Sequence, residues 1–253
     1  SINYAKRIQN AILPEAYFFE EHFAEFFILY RPRDIVSGDF YWATEHQGKA
    51  ILAAADCTGH GIPGAFMSLI GNDLLNEIVN IQGVLEPDKI LDHLRIRIRQ
   101  VLHQDQNETQ DGMDIAVLVW EKTKRPSSAT IQLQFAAARH SLLLVQTEQI
   151  EQFKGDKLVI GGLNTRISNL PFNQQIISVQ AGQSIYLFSD GIVDQFGGDE
   201  ARKFSSPRLR DLLFKLRHVP LKDQKEIIDN TLDAWMGNEH QQTDDILLIG
   251  LKF

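Results

Sequence analysis

Residues 50–61 read AILAAADCTGHG: six apolar residues, an aspartate, then a turn rich in glycine. A run this short and this apolar, closed by Asp56, reads as a buried strand whose end is left free for chemistry. The pattern recurs three times. Asp190 closes the run SIYLFSDG at 184–191, Asp39 sits in VSGDFYW at 36–42, and Asp244 with Asp245 opens an apolar run in QTDDILLIG at 242–250. Five aspartates at four strand ends, spread over the chain, are how a fold gathers hard oxygen ligands around divalent metal.

Carboxylates held within a few ångströms repel one another, and each unit of upward pKa shift costs about 1.4 kcal/mol. A cluster of them therefore needs compensating cations. Oxygen donors without His or Cys at zinc spacing select Mg²⁺ or Mn²⁺. Two such ions, roughly 3.5 to 4 Å apart, share a carboxylate, activate a water and neutralise phosphoryl oxygens, which is the chemistry of phosphate-ester hydrolysis. Each aspartate alone reads as a turn or cap residue; together they read as a site. Cys57 has no arginine in the loop after it to hold a phosphate, so it reads as a small buried residue whose backbone carbonyl faces metal. His60 reads equally as a general acid or a loop residue. The GIPGAF segment lacks the GKS or GKT ending of a nucleotide-binding loop.

At 253 residues, 43% of them hydrophobic, the chain can bury one large core. A net charge of −8 argues against nucleic acid as a partner. A single cysteine rules out an internal disulfide. No stretch reaches the roughly 18 apolar residues of a membrane span, and no signal peptide is visible. These features describe a soluble, cytoplasmic protein without membrane contact, and the missing initiator methionine describes a fragment.

Residues 1–14 form a linker or regulatory helix, with Ile2, Ala5, Ile8 with Gln9, and Ile12 on one face and Pro14 closing it. It either packs on its own domain or pairs with a second copy. Over 15–253, short strands from FFILYRP to AILAAAD are followed by two helices, SLIGNDLLNEIV and PDKILDHLRIRIRQVLH. In the first of these, Phe66, Ile70, Leu74 and Ile78 recur every fourth residue. Strands return with MDIAVLVWE, TIQLQFAAA, SLLLVQT, IISVQ and SIYLFSD, punctuated by turns at KTKRPSS and QAGQ. Two more helices, SPRLRDLLFKLR and LKDQKEIIDNTLDAWMG, precede a last strand, DILLIGLKF. Strand groups separated by helix pairs predict an α+β fold.

In this order, VSGDFYW, ADCTGHGIPGAFMS, DGMDIAV, LFSDGIVDQFGG and TDDILLIG resemble the SpoIIE-like branch of the PPM family, the metal-dependent serine/threonine phosphatases related to protein phosphatase 2C. The resemblance implies two antiparallel sheets packed face to face with helices outside, and two Mn²⁺ or Mg²⁺ ions. It makes Asp56 the bridging carboxylate, gives one ion to Asp39 with the Cys57 carbonyl, and gives the other to Asp190 and Asp244. Asp245 then orients its neighbour, and Asp111 or Asp114 approaches a third ion. Arg31 and Arg33 stand where eukaryotic relatives place a phosphate-holding arginine, but read equally as solvated surface charges. Arg139 and His140 occupy a turn that is Ala/Gly/Asn-rich in this branch, a departure without a physical account at this level. The resemblance also implies a phosphorylated STAS-type anti-anti-sigma protein as substrate and a sensor module upstream of the first helix. Two other readings share the fold: a binding module for a phosphoprotein or STAS partner, and an output domain that dimerises through the first helix.

Overall fold

The computed structural model describes residues 1–122, 130–162 and 170–253. The turn expected over KTKRPSS lies, from residue 123 onward, outside them. The chain begins with α1 (Ile2–Ile12) and α2 (Ala16–His22), then β1 (Glu25–Arg31), β2 (Phe40–His46) and β3 (Lys49–Cys57). Next come α3 (Gly61–Leu75), prolonged over Asn76–Ile81 by wider π-helical turns, and α4 (Pro87–Val101), with Pro87 in its first turn. Strands β4 (Gly112–Glu121), β5 (Thr130–Ala138), β6 (Ser141–Val145), β7 (Ile150–Lys154), β8 (Ile160–Gly161), β9 (Gln175–Gln180) and β10 (Ser184–Phe188) follow. The remainder is α5 (Asp190–Asp194), the small hairpin β11 (Phe196–Gly197) and β12 (Arg202–Lys203), α6 (Ser206–Lys215), α7 (Leu221–Met236) and β13 (Ile246–Lys252).

Two antiparallel sheets result. One has the order β1-β13-β10-β6-β7; the other runs β2-β3-β4-β5-β9, with β8 pairing β4. Alternation along single strands shows how they stack. In β3, Ala50, Leu52 and Ala54 enter a core shared with β10 and β13 of the other sheet, while Ile51, Ala53, Ala55 and Cys57 pack under α3 and α4. In β13, Leu247, Ile249 and Leu251 join the same central core, while Ile246 and Leu248 face α6 and α7. The layers are helix, sheet, sheet, helix, with an apolar core between each pair, and this is the expected α+β sandwich. Because helices cover the outer face of both sheets, central strands are buried on both sides and read as continuous apolar runs rather than alternating ones.

Two features depart from the sequence reading. The first is α2, which has no helical period to announce it. Its Phe19 is fully buried, and Phe23 packs against Trp120 and Phe253, closing one end of the central core with aromatic rings. The second is the face of α3. Leu74 and Ile78 are buried as expected, but Phe66 is 63% exposed. The first turns of α3 bury Gly61, Gly64, Met67 and Ser68 instead, so small residues let the helix lie close to the loops beneath it and the bulky ones turn outward.

Packing in the first sheet is tight at Gly250, where an added Cβ would lie 2.4 Å from Cε1 of Phe27 on the neighbouring strand. Gly250→Ala is expected to cost about 1 to 3 kcal/mol by overpacking. Urea unfolding measures this, and Phe27→Leu in the same chain should return part of the loss. Equal stability of Gly250→Ala and the unaltered protein would contradict this packing.

Candidate metal-dependent active site

The register explains why distant aspartates meet. Asp56, near the end of β3, pairs with Asp114 at the start of β4. Phe40 pairs with Ala55, so Asp39, one residue before β2, comes opposite the same end. In the other sheet Phe188 pairs with Leu248 and Arg31 with Ile246, which brings Asp190, just past β10, to the same end as Asp244 and Asp245, just before β13. The aromatic plug of α2 lies at the far end, against Trp120 and Phe253. One end of the sandwich is sealed, and the other carries the acids.

Close backbone approach packs the loops at the acidic end of each sheet. A Cβ on Gly38 would lie 2.5 Å from the Gly59 carbonyl, and one on Gly191 would lie 1.9 Å from the Asp245 carbonyl and 3.3 Å from Cβ of Asp244. The carbonyl of Cys57 faces the same Gly38. The amide of Asp190 donates to Asp56 Oδ2 at 3.4 Å, and Ser189 Oγ donates to Asp39 Oδ2 at 2.6 Å, joining β10 to the β2 loop. Asp245 spends both oxygens on amides of the 33–38 loop, accepting from Arg33 and Gly38 at 2.7 Å each. Its amide in turn donates to Asp244 Oδ1 at 2.8 Å.

Charge in this cluster has no protein counter-ion. Among the described residues, Asp39, Asp56, Asp190 and Asp244 form no ion pair with Lys or Arg. Burial, then the charges of Asp245, Asp244 and Asp190, hold the Asp39 carboxyl well above its usual range, against the opposing Ser189 hydrogen bond. Asp56 is pushed up to about 10 by burial and by Asp39, Asp190 and Asp244. Partial burial and Asp244 raise Asp190 as well. The donor atoms do not close to the spacing of a cage around one ion. Among the described residues, Glu21, His22 and Glu45 alone form a trio within 4.8 Å, and Lys122 already pairs with that group at the sealed end. An open, all-oxygen set of uncompensated carboxylates fits hard divalent cations.

Beside the cluster opens a cavity of about 390 Å³, lined by Asp56, Asp114, Asp190, Thr58, Arg139 and Gly161 among others. Of the two aspartates expected near a third ion, Asp114 lines it and Asp111 does not. Burial pushes Asp114 up to about 6, opposed by Arg139 and reinforced by Asp190. Cys57 packs in the core under α3 and also borders the cavity, and burial pushes its thiol well up. His60 lies outside the cavity lining. Its Nδ1 is 2.8 Å from Asp34 Oδ2 and its Nε2 is 2.6 Å from Arg33 Nη1. Arginine only donates, so Nε2 accepts and Nδ1 carries the hydrogen given to Asp34. Arg31 is engaged by Asp229 and Asp233 of α7.

The sequence reading missed Asp34, hidden in the cationic segment RPRD, and the role of Gln9. Gln9 is 3% exposed; its amide donates to the Ser37 carbonyl at 2.6 Å and to Ser68 Oγ at 2.9 Å, and accepts from the Ser37 amide at 3.0 Å. Ser37 Oγ in turn accepts from the Asp39 amide at 3.0 Å. A polar residue on the apolar face of α1 was the available signal. That helix packs on its own domain through this clamp.

The family model for stage II sporulation protein E (SpoIIE) matches residues 46–253. Among solved structures, the SiaA-PP2C domain of Pseudomonas aeruginosa is 31% identical, with a TM-score of 0.85 over 100% of this chain and 95% of that one. The phosphatase domain and regulatory fragment of SpoIIE from Bacillus subtilis is 16% identical, with a TM-score of 0.66 over 90% of this chain and 62% of that one. The RsbU and RsbW domains of a Mycobacterium tuberculosis protein are 18% identical, with a TM-score of 0.65 over 90% of this chain and 59% of that one. No curated protein matches the chain. With five motifs in order, the layered sandwich and a family match over most of its length, the chain belongs to the SpoIIE family of PP2C-type serine/threonine phosphatases.

Proposed function

We propose that the chain hydrolyses phosphoserine or phosphothreonine in a signalling protein, using two Mn²⁺ or Mg²⁺ ions held at the acidic end of the sandwich. The observation that carries this reading is the gathering of four carboxylates from both sheets at one end with, among the described residues, no Lys or Arg paired to them. A bacterial relative of the same fold, RsbX, has been crystallised in complex with magnesium. Asp56 would be shared between the ions, Asp39 and the Cys57 carbonyl would serve one, and Asp190 and Asp244 the other. Bound there, the cations supply Lewis-acid activation of water and neutralisation of phosphoryl oxygens.

The chain's own residues hold this arrangement in place. Asp245 fixes the 33–38 loop through two amides, and Ser189 fixes the Asp39 carboxylate. His60, bonded to Asp34 through Nδ1, would hold a proton beside the loop if its Nε2 were released from Arg33. The substrate we favour is a phosphorylated STAS-type protein, in keeping with the RsbU and RsbW context of one structural relative. Whatever engages α1, a second copy or a sensor segment, would act on the Asp39 loop through Gln9.

Hydrolysis of p-nitrophenyl phosphate should require added Mn²⁺ or Mg²⁺, and Asp56→Asn should reduce it to background while leaving the fold intact. Metal-independent turnover, or an active Asp56→Asn protein, would overturn the two-ion reading.

The raised carboxyl groups also set a pH dependence for the metal-free protein. Folded Asp39, Asp56 and Asp190 retain protons that the unfolded chain releases near pH 4. Their stabilising contribution is therefore full below that pH and is lost as pH rises toward the folded values, near 10 for Asp56. In EDTA, the melting temperature of Asp56→Asn should rise above that of the unaltered protein by an amount that grows from pH 5 to 8. Saturating Mn²⁺ should reverse the order. A difference that does not vary with pH would contradict the cluster's electrostatics.

Gln9→Leu leaves the buried amide and carbonyl of Ser37 unpartnered, at a cost of about 1 to 3 kcal/mol. Because Ser37 also holds the Asp39 amide, the Mn²⁺ concentration for half-maximal activity should rise several-fold. A lowered melting temperature with unchanged metal dependence would limit Gln9 to a packing role.

A further inference from the structure

The cavity beside the aspartates must receive a phosphate that carries negative charge, yet Asp56, Asp114 and Asp190 are among its lining residues. Among the described residues, Arg139 is the sole Lys or Arg in that lining. Among the described residues, Arg31 is occupied by Asp229 and Asp233 and Arg33 by His60, with neither lining the cavity, and Arg99 is turned to the Gly162 carbonyl.

Arg139 is also unusual in its backbone. It sits at φ 52, in the left-handed region that a branched, Cβ-bearing chain disfavours, at the turn between β5 and β6. Three bonds to residues 155–156 hold the turn: the Arg139 amide donates to the Asp156 carbonyl at 2.8 Å, the Gly155 amide to the His140 carbonyl at 2.9 Å, and the Asp156 amide to the Ala137 carbonyl at 2.8 Å. A strained residue fixed this firmly by its surroundings points to a use for its side chain. That side chain is 56% exposed, and its nearest charge is Asp114, with Nε 3.7 Å from Oδ1, beyond hydrogen-bond distance. The guanidinium is thus parked by a loose ion pair rather than locked.

Building on the phosphatase reading, we infer that Arg139 anchors the substrate's phosphate. When the phosphoryl group enters, the guanidinium leaves Asp114 and donates paired hydrogen bonds to two phosphoryl oxygens, on the cavity side of Asp56 and Asp190. Asp114 acts as the resting partner that keeps the arginine aimed into the cavity. No bond is made or broken in this step; it is recognition, and it places the anion where the proposed ions act.

The test uses the Mn²⁺-loaded protein, with p-nitrophenyl phosphate as substrate and inorganic phosphate as competitive inhibitor. Arg139→Gly removes the guanidinium and suits the backbone, so the protein should melt no lower than the unaltered one. Its phosphate Ki and its KM should rise by about 10-fold or more, as expected for loss of a charge-assisted pair of hydrogen bonds, with the smaller change in kcat. Arg139→Lys should recover part of the loss. Phosphate Ki values unchanged in Arg139→Gly, alongside normal metal-dependent hydrolysis by the unaltered protein, would overturn the assignment of Arg139 alone. Absence of metal-dependent hydrolysis in the unaltered protein would overturn the phosphatase reading and this inference with it.

Discussion

Repulsion among carboxylates that share one end of the sandwich is the constraint on which the rest of the structure depends. Asp39 is 2% exposed and its carboxyl is raised by that burial and by Asp245, Asp244 and Asp190, as that of Asp56 is by burial and by Asp39, Asp190 and Asp244. A fold can carry such a cluster only if stability is supplied elsewhere. Here it comes from three apolar cores stacked between four layers, and from the rings of α2 that close the far end. Separation of duties along each strand makes this workable: the same β3 that contributes Ala50, Leu52 and Ala54 to the central core ends in Asp56.

The geometry of the cluster is set by backbone more than by side chains. Antiparallel pairing places the start of β2, the end of β3 and the start of β4 side by side, and does the same for the end of β10 and the start of β13. The two groups then meet through the bonds of Ser189 to Asp39, of Asp190 to Asp56 and of Gly38 to Asp245. The 33–38 loop that precedes Asp39 is tied to Asp245 on one side and to Gln9 of α1 on the other. That loop connects the start of the chain to the chemistry.

Much of this was legible in the sequence, because strand ends marked by aspartate and glycine are local signals, and the alternating cores leave continuous apolar runs. The sandwich, the four helices that cover it and the gathering of Asp39, Asp56, Asp190 and Asp244 could all be anticipated. What escaped shares one physical cause: the decisive partner is remote in sequence. Gln9 looked like an imperfection on an apolar face until Ser37 and Ser68 closed around it. Phe66 fitted a four-residue period, but the close seating of α3 turned it outward. Asp34 was masked by two arginines, and the arginine at 139 had no account until its left-handed backbone and its place in the cavity were seen together.

These electrostatics also bear on the order of events. With the carboxylates ionised and no cation present, the field at the cavity opposes any phosphate, and a single guanidinium across from Asp114 does not reverse it. On the proposed reading, divalent ions bound there would change the sign of that field where phosphoryl oxygens would sit. Metal and anion are therefore coupled sites, and the coupling is reciprocal: whatever affinity the ions add for phosphate, phosphate adds for the ions. Strengthening of metal binding by substrate follows from the charge distribution alone, without movement of the sheets. The 33–38 loop offers a second route to the same end, since a shift there changes Asp39 directly and the phosphate only through the ions.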